Sequence, residues 1–404
     1  MKTLKIGVIL LAFMLAAMVM VPMVSATNSI NYTVVSDLST LQLPQLHFNT
    51  SQKHANVVTG LDPSPIMQAS QIDNLLASSS NRTISNIPYG SIIYHSKDGL
   101  TTVFDANGNQ LFAAEDANSA QIITPKGVML AATHVHNLPS GSTLVLVGNT
   151  TYVSYQNVLL FEEIDESSSA NSIKPLAVDP PGVLPQSYVE GIEGIPAGSV
   201  GDFGNYWTVP SNPVSQTKYI PTFLWNGVES TTGEDVLIQP VLQWNTASNP
   251  LQWSLADWVV YGSTGDYNTT STPGVTSGDI ILGQMNYNSP ETWTVNLKDT
   301  SRSLAVPYLN VENFMSNSNV NLMVWLESWS YNVATGGSNS YMPGGTPFYT
   351  FVGIDPYGNN ILPSSITPYV QTFNWGNLTG LGVANTADWP NTYSQPLTLT
   401  TYQT

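Results

Sequence analysis

The 404-residue chain contains no cysteine. Disulfides and thiolate metal sites are excluded, so the fold must hold by burial and hydrogen bonding. Charge is the second scarcity. Asp, Glu, Lys and Arg make up 9% of the residues, against about 25% in an average protein. Lys and Arg together number 10, and the formal net charge is −17. Nucleic acids and anionic membranes are recognised through clustered cations, so neither is expected as a partner. A surface with few carboxylates changes little as the pH falls, because few groups must be protonated. The composition suits an acidic medium. Past the N-terminal segment no stretch reaches the ~18 apolar residues of a membrane helix, so no span is expected in the mature chain.

The N-terminal segment has a clear build. Lys2 and Lys5 precede an apolar run from Ile6 to Met20, and Val24-Ser25-Ala26 supplies small residues for cleavage. Residues 1–26 therefore read as a secretory signal, which implies a secreted or cell-surface protein. Asn31, Asn49, Asn81, Asn149, Asn268 and Asn377 each open an Asn-x-Ser/Thr sequon, so a glycoprotein is expected.

Helical periodicity is almost missing. Ile66 to Ala77 is the one amphipathic helix candidate, inside a polar lead-in over 27–85. Elsewhere, short runs of Val, Ile, Thr, Tyr and Trp alternate with Gly, Pro, Asn and Ser, the pattern of an antiparallel sandwich. Residues 86–165 read as a small β domain and a candidate propeptide, with hairpins at Asp98-Gly99 and Asn107-Gly108. Residues 166–186, rich in Ser, Pro and Ala, read as a linker, and 187–404 as the main β-sandwich.

Three patches of the main domain carry a resemblance. They are Tyr206-Trp207-Thr208-Val209-Pro210-Ser211, then Phe223 to Glu229 with Val236 to Trp244, then Ser277 to Ile281 with Leu322 to Trp329. In their order and spacing over roughly 200–330 they resemble the glutamic peptidases (eqolisins). The resemblance implies a jelly-roll or concanavalin-like sandwich, and an acid-acting endopeptidase that works through one Gln and one Glu without metal or cofactor. The family Gln falls on Gln239. The family Glu falls near Met323, where it would be lost, or, with the alignment moved, on Glu327. Glu327 is the assignment adopted here.

The residues can also be read without the family. Alternate side chains of a strand share a face. Leu237, Gln239, Val241 and Gln243 thus share one face, with Ile238, Leu242 and Trp244 on the other; Pro240 marks a bulge or an edge. Leu322, Val324 and Leu326 suit a core, which puts Met323, Trp325, Glu327 and Trp329 opposite. A carboxyl between two indoles is desolvated, which raises its pKa toward a useful general acid/base. Glu327 is then expected to activate water and Gln239 to donate to the oxyanion. Trp225, Gln243, Trp258, Trp325 and Trp329 would line the substrate groove.

Two other readings compete. Trp253, Trp258, Trp293, Trp325 and Trp329 could form a sugar-binding face, with Asp257, Glu229, Glu234 and Glu327 the available acids. A non-enzymatic surface protein would also fit the composition. His134-Val135-His136 presents two imidazoles without a third ligand in sequence, so no metal site is expected. Glu162, Glu163, Asp165 and Glu166 read as a solvated domain end or a processing site.

Overall fold

The computed structural model describes residues 45–47 and most of 87–400. Outside the description lie 1–44, 48–86, 117–120, 126–128, 167–187, 215–220, 233–235, 247–248, 262–264, 289–290, 303, 305–307, 329–342, 344–345, 375–381, 385, 387–388, 390–396 and 401–404. The signal segment, the helix candidate, most of the lead-in and nearly all of the linker fall there, as do Glu234 and Trp329. Among the described residues there is no α-helix, and no helix is long and apolar enough to cross a membrane.

The protein is an all-β sandwich, as its alternating pattern predicts. The first third supplies β1 (Ser91–His95), β2 (Leu100–Phe104), β3 (Gln110–Glu115), β4 (Gln121–Ile123), β5 (Met129–Ala131), β6 (Val135–Leu138), β7 (Ser142–Val147), β8 (Thr150–Tyr155) and β9 (Val158–Asp165). The middle supplies β10 (Tyr188–Gly194), β11 (Asp202–Thr208), β12 (Thr222–Ser230), β13 (Val236–Trp244), β14 (Trp253–Tyr261), β15 (Gly265–Thr269), β16 (Thr272–Val275), β17 (Ile280–Asn288), β18 (Thr292–Asp299), β19 (Tyr308–Glu312) and β20 (Val320–Ser328). Then come β21 (Thr346–Ile354), β22 (Tyr369–Asn374), β23 (Gly382–Ala384) and β24 (Leu397–Thr400).

A 13-stranded sheet runs β23-β24-β21-β11-β17-β18-β19-β7-β8-β9-β1-β2-β3. A 9-stranded sheet runs β22-β10-β20-β12-β13-β14-β15-β6, with β16 also on β14. The main core lies between them: Ile238, Leu242, Leu322, Val324 and Leu326 meet Trp207, Ile281, Val295 and Val311 in one buried cluster. The far face of the 9-stranded sheet carries a second apolar layer, including Phe223, Trp225, Leu237, Val241, Trp258, Met323 and Trp325. Both strand-face assignments made from sequence therefore hold.

The sequence boundary between 86–165 and 187–404 does not mark separate sheets. β7 pairs in parallel with β19, and β6 in parallel with β15, so the N-terminal strands extend both sheets. Hydrophobic alternation shows that strands exist but not which edges they complete. Removing 86–165 would bare the β19 and β15 edges, each paired over four residues.

Local chemistry accounts for the hairpins. In each of the two expected turns the glycine has positive φ and the residue before it does not, Gly99 at 73° and Gly108 at 81°. Asp105 Oδ1 accepts the N–H groups of Asn107 and Asn109 at 2.9 Å each, an Asx-type cap that shapes the second turn. Pro240 is neither bulge nor edge. It sits in a central strand, and the register with β12 is the same on either side of it, Trp225 opposite Val241 and Val228 opposite Ile238. The β12 ladder is interrupted beside the missing N–H, while the β14 ladder continues through Pro240 and Asp257.

Candidate functional site

The outer face of the 9-stranded sheet holds the residues singled out from sequence. Gln239 stands on β13 opposite Trp258 of β14. The same constant register places it opposite Gly227 of β12, which in turn faces Met323 of β20. Glu327 belongs to another row: it faces Phe223 of β12, which faces Gln243, and on its other side Val189 of β10.

Gln239 and Glu327 thus share a face but not a row. Four residues along the strands and two strand spacings separate them, about 16 Å between Cα atoms at ~3.3 Å per residue and ~4.8 Å per strand. Side chains stand roughly perpendicular to the sheet, so one water cannot bridge the pair. The residue nearest Gln239 across Gly227 is Met323. On this face the carboxyl closest to it by register is Glu229, which pairs with Leu237, one diagonal step away.

The surroundings of Gln239 are apolar and closed. Gln239 is 0% exposed, and among the described residues neither its Nε2 nor its Oε1 has a hydrogen-bond partner. The indole N–H groups of Trp225 and Trp325 are also without partners. These two rings stack on each other at 5.7 Å between centroids. Trp258 is satisfied: its Nε1–H donates to Gln243 Oε1 at 3.2 Å, and Gln243 Nε2–H donates to Ser271 Oγ at 2.6 Å. Gly227 is required here, because a Cβ would lie 2.8 Å from Leu237 Cδ1 and 2.9 Å from the Trp225 ring.

Other candidates fall elsewhere. Trp253 and Trp293 are in the main core, not on the outer face, so they cannot line a sugar groove there. Asp257 is on the core side of β14, 0% exposed, with no partner for either oxygen. Burial pushes its carboxyl well above the ordinary value. The sequon residue Asn268 is buried within β15, which does not suit a glycan on the folded chain.

Of the acidic run at 162–166 only Glu166 is exposed. Glu162, Glu163 and Asp165 are buried because β9 lies between β8 and β1 inside the 13-stranded sheet. Burial pushes Glu162 up to about 7. Glu163 reaches instead into the space between the sheets, where His95, His134 and His136 converge. Burial alone would raise its pKa, but the charge and hydrogen bonds of His136 and His95 outweigh it and hold Glu163 below the usual carboxylate range. These residues lie up to 68 positions apart in sequence. The available signal was inward alternation, which places His95 and Glu163 on core-facing positions of their strands.

No protein-family model and no curated protein matches the sequence. Among solved structures, the chain is similar to Scytalido-glutamic peptidase bound to a peptide-based transition-state analogue. The identity is 12% and the TM-score 0.36, over 54% of this chain and 98% of that one. It is similar to the same extent to SCP-B, a member of the eqolisin family of peptidases, in complex with the tripeptide Ala-Ile-His, with 12% identity and a TM-score of 0.36. A protein of unknown function from Shewanella oneidensis follows at 12% identity and a TM-score of 0.21, over 35% of this chain and 62% of that one.

Proposed function

We propose that the protein binds an extended polypeptide, outside the cell, on the outer face of the 9-stranded sheet, and that Gln239 is the recognising amide. The observation that carries this reading is the amide itself, fully buried with both polar atoms unpartnered. Leaving a buried donor or acceptor unmade costs about 1–3 kcal/mol each, so the group is retained at a stability cost. A peptide group offers one C=O and one N–H, the complement of a side-chain amide. The Trp225 and Trp325 N–H groups would donate to further carbonyls.

The endopeptidase expected from sequence needs one water held between Gln239 and Glu327, and about 16 Å of register separation counts against it. Met323 stands where an adjacent carboxyl would have to be. A sugar ligand needs open ring faces, whereas Trp225 and Trp325 cover each other and Trp258 is 4% exposed. The motif order over 200–330, which resembles peptide-cleaving enzymes, supports a polypeptide over a glycan.

The test is a titration of the full chain with blocked, extended peptides at pH 4 and pH 7, read by tryptophan fluorescence and calorimetry. Association should be slow, because a closed pocket must open first. Gln239→Leu should weaken binding about 10-fold, the loss of one or two hydrogen bonds. Unfolded casein at pH 3 should remain intact. Cleavage that disappears in both Gln239→Leu and Glu327→Gln would restore the peptidase reading and end this one.

A further inference from the structure

We infer that His95, His134, His136 and Glu163 form a binding site for one divalent transition-metal ion, zinc by the chemistry of its ligands, clamped between the two sheets. The side chains come from four places in the fold. His95 is on β1 and Glu163 on β9, neighbouring strands of the 13-stranded sheet. His134 closes a 3₁₀ turn, Ala132–His134, and His136 follows on β6, the edge of the 9-stranded sheet.

The geometry converges on a point. Ligand atoms of His95, His134 and Glu163 all lie within 4.8 Å of one another. His95 Nε2 is 2.7 Å, and His136 Nε2 3.3 Å, from the same oxygen, Glu163 Oε1. The His95 and His134 rings stack at 3.9 Å with 19° between their planes. All four residues are at most 8% exposed.

Thr101 has one hydroxyl hydrogen, and it goes to Asp116 Oδ1 at 2.6 Å. The 2.8 Å contact between Thr101 Oγ1 and His95 Nδ1 therefore needs the proton on Nδ1. That fixes the ring so that Nε2 faces Glu163 Oε1 at 2.7 Å. Asp116 Oδ2 lies 3.2 Å from His134 Nε2 and orients the second ring. A divalent cation would take the place of a proton between His95 Nε2 and Glu163 Oε1.

The outer layer has the form found around bound metals, in which each ligating imidazole gives its other N–H to an oxygen and ligating carboxylates are themselves hydrogen-bonded. Asp116, braced by Thr133 Oγ1 at 2.9 Å, orients His134 directly and His95 through Thr101. Tyr267 donates its hydroxyl to Glu163 Oε2, which leaves Oε1 for the ion. His95, His134 and Glu163 supply three mutually close ligand atoms, and His136, close to Glu163 Oε1 at 3.3 Å but outside that group of three, would complete a four-coordinate N₃O set by a shift of its ring; such a set suits Zn²⁺, with ligand distances of about 2.0–2.2 Å. Binding would spread His95 Nε2 and Glu163 Oε1 from 2.7 Å to about 3.3 Å, the separation of two tetrahedral ligands. With four protein ligands and no exposed position, the ion would be structural and would tie the N-terminal strands to the rest of the sandwich.

The test uses the full chain, stripped with a chelator and refolded with Co²⁺ or Zn²⁺. One Co²⁺ per chain should bind, with the intense visible bands of four-coordinate cobalt, and Zn²⁺ should bleach them. Hyperfine-shifted imidazole N–H signals of the unaltered cobalt protein should report His95 and His134, so the site is counted even where a variant fails to fold. Saturating Zn²⁺ should raise Tm by about 5 °C. His95→Gln and His134→Gln should each weaken Co²⁺ binding at least 10-fold. A refolded wild-type chain that takes up neither ion, a six-coordinate cobalt spectrum, or binding unchanged in both variants would overturn the site.

Discussion

Two groups of buried polar side chains lie on opposite sides of the 9-stranded sheet, and their wiring differs. On the outer face, Gln239, Trp225 and Trp325 carry polar atoms with nothing to bond, among apolar neighbours. Between the sheets, His95, His134, His136 and Glu163 sit in a dense shell of Thr101, Thr133, Asp116 and Tyr267. Unsatisfied groups cost stability and are kept for something that arrives. A braced cluster fixes its own geometry and resists change. On the two proposals above, the outer-face amide serves recognition and the inner cluster architecture.

The contrast can be broken by mutation. The largest effect should come from Trp225→Ala, which removes a fully buried ring from the outer layer and should cost about 3–5 kcal/mol in urea unfolding. A loss below about 1 kcal/mol would mean that the outer layer is not a packed core.

Asp257 is the next lever, because it is unpartnered like Gln239 but faces the core. Its folded pKa is raised by burial. In the unfolded chain it ionises near 3.9, so above that pH the folded state holds more protons and stability falls as pH rises. The slope is about 1.4 kcal/mol per pH unit until the folded pKa is reached. The wild type should therefore melt higher at pH 4 than at pH 7, and Asp257→Asn should flatten that profile. A wild-type Tm that climbs from pH 4 to pH 7 would contradict the assignment.

The smallest effect carries the sharpest sign. Gln239→Leu should stabilise the free protein by about 1 kcal/mol, because it removes unsatisfied polar atoms at little change in volume. Glu163→Leu should destabilise it, because Tyr267 and two histidines lose their shared acceptor. Two changes of the same sign in thermal unfolding would erase the distinction between the regions.

Much of this was legible in the residues. Alternation separated Ile238, Leu242 and Leu326 from Gln239, Met323 and Glu327 before any pairing was known, because the side-chain period of a strand is two. The turns at Gly99 and Gly108 were legible because glycine tolerates positive φ. The relative register of β13 and β20 was not. Both strands pair with β12, and a sequence carries no mark for where along β12 each one starts. That offset alone places Met323, rather than Glu327, opposite Gln239 across Gly227. The meeting of His95 with His134 and Glu163 was not legible for a similar reason, since these residues are far apart along the chain.

By itself, then, the sequence determined an acidic, cysteine-free, all-β protein, together with the faces of its strands, because composition and local periodicity act within a few residues; the parallel pairs that make both large sheets mixed were not legible. Tertiary structure decided which rows those faces form, that residues 86–165 complete both sheets, and that three imidazoles surround one carboxylate. Those outcomes depend on ladder register and sheet stacking, which are set by contacts between residues far apart in the chain.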